Sequence, residues 1–134
     1  MLAAAKKLGL FCSGAASQKY PTTLPDQQEI MGALAEILME ILVMESAILR
    51  AEKVTASGTH AAAAAQSLAR LAAARSFRIV RDSAERIVGA VAEGDMLRTQ
   101  MAILRRLAKH EPADTVAPGR AVAEATIAAE RYPL

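Results

Sequence analysis

DQQEIMGALAEILMEILVMESAILRAEKVTAS, residues 26–57, is the stretch whose reading decides the fold. Placed at ~100° per residue, Ile30, Met31, Leu34, Ile37, Leu38, Ile41, Leu42, Met44, Ile48 and Leu49 fall on one broad arc. Glu29, Glu36 and Glu40 fall on the opposite side, an ordinary solvated face. So wide an apolar arc predicts a long helix that cannot stand alone in water. Leu38, Leu42 and Leu49 are its candidate interface residues. Glu45 falls near the centre of the arc. A carboxylate buried there without a partner would be strongly destabilising, so it must find a cation or be neutral.

The flanking sequence supplies the rest of the architecture. Pro21 and Pro25 end a first helix over residues 1–19 and bracket a turn. Leu8, Phe11, Cys12 and Ala15 share one face of that helix, with Lys6 and Lys7 beside it. Gly58 is a stop signal for the long helix, and Thr59 a cap for the next. A third helix is predicted over residues 60–93, ended by Gly94, and a fourth over 96–110, capped by Asp95. In the fourth, Leu97, Met101, Leu104 and Ala108 form the inward stripe, and Arg98, Arg105 and Lys109 a basic stripe away from it. After Pro112, Asp114 or Thr115 starts a short last helix that tolerates Pro118 only in its first turn. The expectation is an all-α fold, an antiparallel helical bundle of about five helices around a long central helical hairpin. It is read as a single helical domain over 1–134: an amphipathic helix over 1–20, the bundle over 26–110, and a C-terminal helix and tail over 111–134.

Composition agrees. Hydrophobic residues make up 53% of the 134 residues and aromatics only 3%, so the core must be aliphatic and rich in alanine. The formal net charge is +2, too balanced for a nucleic-acid-binding face, and no nucleic-acid partner is expected. The lone Cys12 forms no intrachain disulfide, which fits a reducing, cytoplasmic setting. The apolar run 8–12 is short for a secretory signal. Glu36, Glu40 and Glu45 interrupt the best candidate for a membrane span. A basic first helix could also lie on a membrane surface, but its small charge favours packing on protein.

With a turn centred on residues 58 and 59, residue 45 sits level with about residue 72 of the third helix, within one turn of Arg75. This predicts a structural ion pair between Glu45 and Arg75. Arg86 lies at a similar angle but nearer Met31 along the axis. The third helix also presents Ala65, Ala69, Ala72, Ala73, Ser76 and Ser83 on its apolar arc, small residues that allow close helix approach. No catalytic, cofactor-binding or metal-binding residue is expected. Glu36 and Glu40 share a face, but His60 and His110 lie near helix ends and make no Glu-x-x-His pair. His110 reads as a partner of a helix C-terminus. No glycine pattern makes a phosphate loop.

Four stretches carry a family resemblance: AAAKKLGLFCSGAASQKY at 3–20, DQQEIMGALAEILMEILVMESAILRAEK at 26–53, EGDMLRTQMAILRRLAKHEPADTV at 93–116 and ERYP at 130–133. Together they resemble the C-terminal region of bacterial acyl-CoA dehydrogenases of the very-long-chain type. MESAILRAEK and LRTQMAILRRL are the most specific pieces. Both are patterns of a helical appendage and neither is a catalytic signature. The family's enzymes use FAD and a glutamate base to oxidise acyl-CoA, but those parts lie upstream of the region matched here. The resemblance therefore implies the tail of a larger enzyme, without dehydrogenase activity of its own. It implies packing on a flavin-binding body or a homodimer partner, with peripheral membrane contact through the first helix as a further option. A stand-alone helical interaction module is the alternative.

Overall fold

A computed structural model describes residues 1–58 and 61–130. Five α-helices follow one another, and no strand occurs among the described residues. They are α1 (Leu2–Lys19), α2 (Gln28–Ala56), α3 (Ala62–Val91), α4 (Gly94–Leu107) and α5 (Val116–Ala129). The all-α expectation is met, with two very long helices at the centre.

Helix ends follow local chemistry. α1 stops where Tyr20 meets Pro21, and the Tyr20 N–H still reaches the Ala16 carbonyl at 2.9 Å. Asp26, predicted as the start of the long helix, instead ends a 3-10 turn, Leu24–Asp26, before α2. Pro25 suits the first positions of such a turn and lacks the donor an α-helix would need later. Gly58 closes α2 with a φ of +66°, a left-handed conformation that disfavours any side chain. The expected cap at Thr59 and the start at His60 lie outside the described residues. Gly94 does not only end α3: at φ +54° it opens α4. Asp95, expected to cap α4, sits in its first turn and bonds Arg98 at 2.9 Å instead. Of the two starts expected for the last helix, Thr115 is the N-cap residue of α5, while the Asp114 carboxylate accepts from the Val116 and Ala117 amides at 2.8 and 3.3 Å.

The chain divides into two compact units. The first comprises Met1–Ile41 and Phe77–His110: α1, the start of α2, the end of α3, and α4. Its core is made of Leu8, Cys12, Ile37, Phe77, Val80, Ile87, Val88 and Leu104, each at most 1% exposed. α1 contributes Leu8, Cys12 and Ala15 as expected, with Phe11 half-buried. Gly9 also faces α2, where an added Cβ would stand 3.3 Å from Ile37 Cγ2, so glycine sets the closeness of that approach. The α4 stripe is confirmed, with Leu104 and Ala108 buried and Leu97 and Met101 half-buried.

The second unit comprises the described residues of Leu42–Ser76 and Glu111–Leu134. Here Ala51, Ala65 and Ala69 form the buried cluster, with Ala47 and Val54 packed on it. Thr55 and Gln66 hydrogen-bond across α2 and α3 at 3.2 Å. α5 contributes no fully buried side chain.

Candidate functional site

The long helix carries two apolar faces where the angular map draws one. Ile30, Ala33, Leu34, Ile37, Met44 and Ala51 are buried. Ile41 and Ile48 are half-buried. Met31, Leu38, Met39, Leu42, Val43 and Leu49 are exposed, Leu38, Leu42 and Leu49 at 61, 63 and 59%. The arc thus splits lengthwise, with one half in the core and the other in solvent. A helix presents only part of its circumference to its neighbours, and the angular map of α2 alone cannot say which part.

Glu45 lies on the border between the two faces. It is half-buried, not buried as expected, and Arg75 is exposed, both within the second unit. The large desolvation penalty that motivated the pair therefore does not arise at full strength. A polar contact between α2 and α3 also forms in the first unit. Glu36, expected on the solvated face, accepts hydrogen bonds from Ser83 Oγ and, at 2.9 Å, from Arg86 Nη2. Ser83 is fully buried, whereas the Arg86 and Glu36 side chains are 60 and 41% exposed. Ser83 thus places a hydroxyl in the core that donates to a carboxylate at its rim. The signal in the sequence was the Ser83–Arg86 spacing of three, which sets both donors on one side of α3.

His110 follows α4. Its Nδ1 lies 3.1 Å from the Ala108 carbonyl, near the helix C-terminus as predicted, and its ring meets Phe77 edge-on at 4.6 Å. Cys12 is wholly buried, and burial pushes its thiol up to about 11. A thiol held protonated and shielded is a packing group and not a nucleophile. No set of His, Cys, Asp and Glu among the described residues could hold a metal ion. No described helix is long and apolar enough to cross a membrane. The apolar face of α1 that was offered to a membrane surface is used inside the first unit, while Lys6, Lys7 and Leu10 point outward.

Each unit holds a cavity lined by described residues. In the second, an apolar groove of about 430 Å³ runs along Ile48, Ala51, Glu52, Thr55, Ala56, Gln66 and Ala69. In the first, about 260 Å³ opens among Ala15, Gln18, Lys19, Val91, Ala92, Glu93, Met96 and Gln100. Gln100 Oε1 is buried there without a hydrogen-bond partner among the described residues. Neither cavity assembles a nucleophile with a base.

The family described as "Acyl-CoA dehydrogenase, C-terminal domain" matches residues 4–106. A curated relative, a "Probable acyl-CoA dehydrogenase" from Bacillus subtilis (strain 168), is 34% identical over 129 residues, which is 96% of this chain and 22% of that protein. The crystal structure of an acyl-CoA dehydrogenase complexed with FAD from Bacillus anthracis superposes with a TM-score of 0.91 at 33% identity. That match covers 98% of this chain and 23% of the Bacillus anthracis chain. The chain therefore spans less than a quarter of the length of the relatives it matches.

Proposed function

The chain belongs to the acyl-CoA dehydrogenase C-terminal domain family, and from that premise we propose that it is the helical assembly module of an FAD-dependent, very-long-chain-type acyl-CoA dehydrogenase. One observation carries this reading. Nearly every residue aligns with the relatives, yet the aligned part is under a quarter of each of them. The module's work is to pack on a flavin-binding body, or to organise a dimer of it, and not to bind substrate or move protons.

Flavin adenine dinucleotide does not fit the described residues. The 430 Å³ groove offers the Thr55–Gln66 pair, already bonded to each other, and the Glu52 carboxylate, which would repel a pyrophosphate. The smaller cavity is lined by both Lys19 and Glu93 and has no glycine-rich cradle. No chemical step is therefore assigned to this chain.

The experiment is a hybrid enzyme in which this chain replaces the matched C-terminal segment of the Bacillus subtilis protein. Bound flavin and acyl-CoA oxidation should be retained in the hybrid and lost when the segment is deleted. A deletion protein as active as the hybrid would overturn the assembly role. Turnover across acyl-chain lengths in the hybrid's natural parent tests the very-long-chain assignment. The chain alone should oxidise no acyl-CoA.

The Glu45–Arg75 pair belongs with this proposal as a register-fixing contact within the second unit. A double-mutant cycle with Glu45→Gln and Arg75→Gln should give a coupling of up to about 1 kcal/mol, as for a partly exposed pair. Zero coupling removes it.

A further inference from the structure

α5 contributes no fully buried side chain, so the rest of the protein uses little of its surface. Its half-buried residues are Pro118, Gly119, Val122, Ala125 and Thr126. At ~100° per residue these fall on one side of the helix. The opposite side carries Val116, Ala117, Arg120, Glu124, Ile127 and Ala128, all exposed, Val116 and Ile127 at 60 and 75%. This outer face lies wholly within the second unit. A helix side turned to water is ordinarily polar, and this one is mostly apolar.

The order of those residues names what fits them. They form three pairs mirrored about residue 122: Val116 with Ala128, Ala117 with Ile127, and Arg120 with Glu124. Two identical helices packed antiparallel about a two-fold axis at that residue bring the members of each pair together across the contact. Each larger apolar side chain then meets an alanine, Val116 on Ala128 and Ile127 on Ala117, which lets the helices close. Arg120 meets Glu124 twice, once on each side of the axis. Within a single helix the same two residues are an i,i+4 pair with the arginine first, the weaker of the two orders. A different protein surface would have to supply an acid and a base in the reverse sequence, whereas a second copy supplies them by symmetry. A lipid surface would have to take up both charges at the middle of the face.

We propose that the outer face of α5 is a two-fold interface on which a second copy of this chain seats antiparallel, Arg120 of each copy against Glu124 of the other. The inference rests on the assembly reading for its purpose, taking the dimer among the roles given there, and on α5 alone for its geometry. A helix of 14 residues is about 21 Å long. The contact is therefore smaller than the roughly 800 Å² per copy of a standard interface, and the dimer of the isolated chain is weak and concentration-dependent.

Sedimentation equilibrium of the isolated chain, loaded from about 10 µM to about 1 mM, tests it. The chain should pass from monomer to dimer across that range. Arg120→Glu sets acid against acid and Glu124→Arg sets base against base, so each alone should weaken association at least about tenfold. Mixed one to one, the two variants regain both opposite-charge contacts in a mixed dimer, and association should return to within about threefold of the unaltered chain. No pairing inside one helix gives that rescue. Ile127→Ser leaves the charge unchanged and should also weaken the dimer, which decides the matter if a charge variant loses its helical circular dichroism. An unaltered chain that is monomeric throughout overturns the proposal. If Ile127→Ser then weakens its binding to phosphatidylcholine–phosphatidylglycerol vesicles, the face belongs to lipid; if it weakens flavin retention by the hybrid enzyme, the face belongs to the flavin-binding body. A dimer that no variant weakens, or weakened charge variants that mixing fails to rescue, overturns the proposal as well. In none of these cases does the assembly reading fall: it falls only if the deletion protein matches the hybrid in activity, whatever the mass of the isolated chain.

Discussion

The two units use the same pair of long helices and fill the space between them with different material. Among the described residues, the largest fully buried side chains lie almost all in the first unit: Phe77, Leu8, Ile37, Ile87, Leu104, Val80 and Val88. In the second unit, Met44 is the large one, and it lies within a turn of the division at residues 41 and 42. Beyond it the cluster is Ala51, Ala65 and Ala69. Burying a large aliphatic or aromatic side chain stabilises by about 1.5–3 kcal/mol, and each methylene contributes about 0.8. Alanine allows two helices to lie close but removes little surface from water. The first unit is thus the stability reserve of the chain, and the second is held by closeness more than by burial.

The largest expected effect lies in the first unit. Phe77→Ala should cost about 3–5 kcal/mol, read from urea unfolding followed by circular dichroism. Ala69→Gly in the second should cost only about 1 kcal/mol, mostly helix propensity. Equal costs would break the contrast. Hydrogen exchange sharpens it without mutation. Amides of α2 and α3 in the second unit should exchange faster than those of the first by a factor on the order of ten or more, as in a locally opening segment.

The Glu36 contact comes next. Ser83→Ala removes a buried donor to a carboxylate and should cost about 1–2 kcal/mol, whereas Arg86→Ala, on the exposed side of the same carboxylate, should cost less than about 1. The reverse order would mean that the ion pair, not the buried hydroxyl, holds the helices in register.

Cys12 gives the first unit a pH dependence of its own. Its folded-state value of about 11 lies above the ordinary 9.0 of a thiol, so the folded chain holds the proton more tightly. The stability that this provides is complete below about pH 9 and is lost as pH rises toward 11. Between pH 8 and 10 the loss should be on the order of 1 kcal/mol, and Cys12→Ala should abolish that part of the slope. The smallest effect is expected at the exposed apolar half of α2: Leu42→Glu should change the stability of the isolated chain by no more than about 0.5 kcal/mol. A larger loss would show that Leu42 is packed in solution.

Much of this was legible in the sequence. The prolines at 21 and 25, Gly58 and Gly94 marked the helix ends to within a few residues. The α4 stripe through Leu97, Met101, Leu104 and Ala108 was read correctly because its apolar positions are few and narrowly spaced. The α2 arc was not, because it is too wide to point in one direction. Glu36 was assigned to solvent by an angular map that contained α2 and nothing else. Glu45 was assigned to the core by the same map. Both errors have one cause: a single helix's periodicity gives the angles between its residues but not the direction of its neighbours.

By itself the sequence determined that the chain is helical, where the helices end, and that the long one has too much apolar surface for solitude. Those properties follow from propensity, glycine and proline geometry, and local periodicity, all of which act within a few residues. Only the tertiary structure decided which half of that surface is core. It left Leu38, Leu42 and Leu49 outside, put Glu45 on the border, and gave Glu36 to Ser83 and Arg86. Burial is a relation between elements distant in sequence, fixed by how α1 and α3 pack against α2 in the first unit and by the alanine contact with α3 in the second.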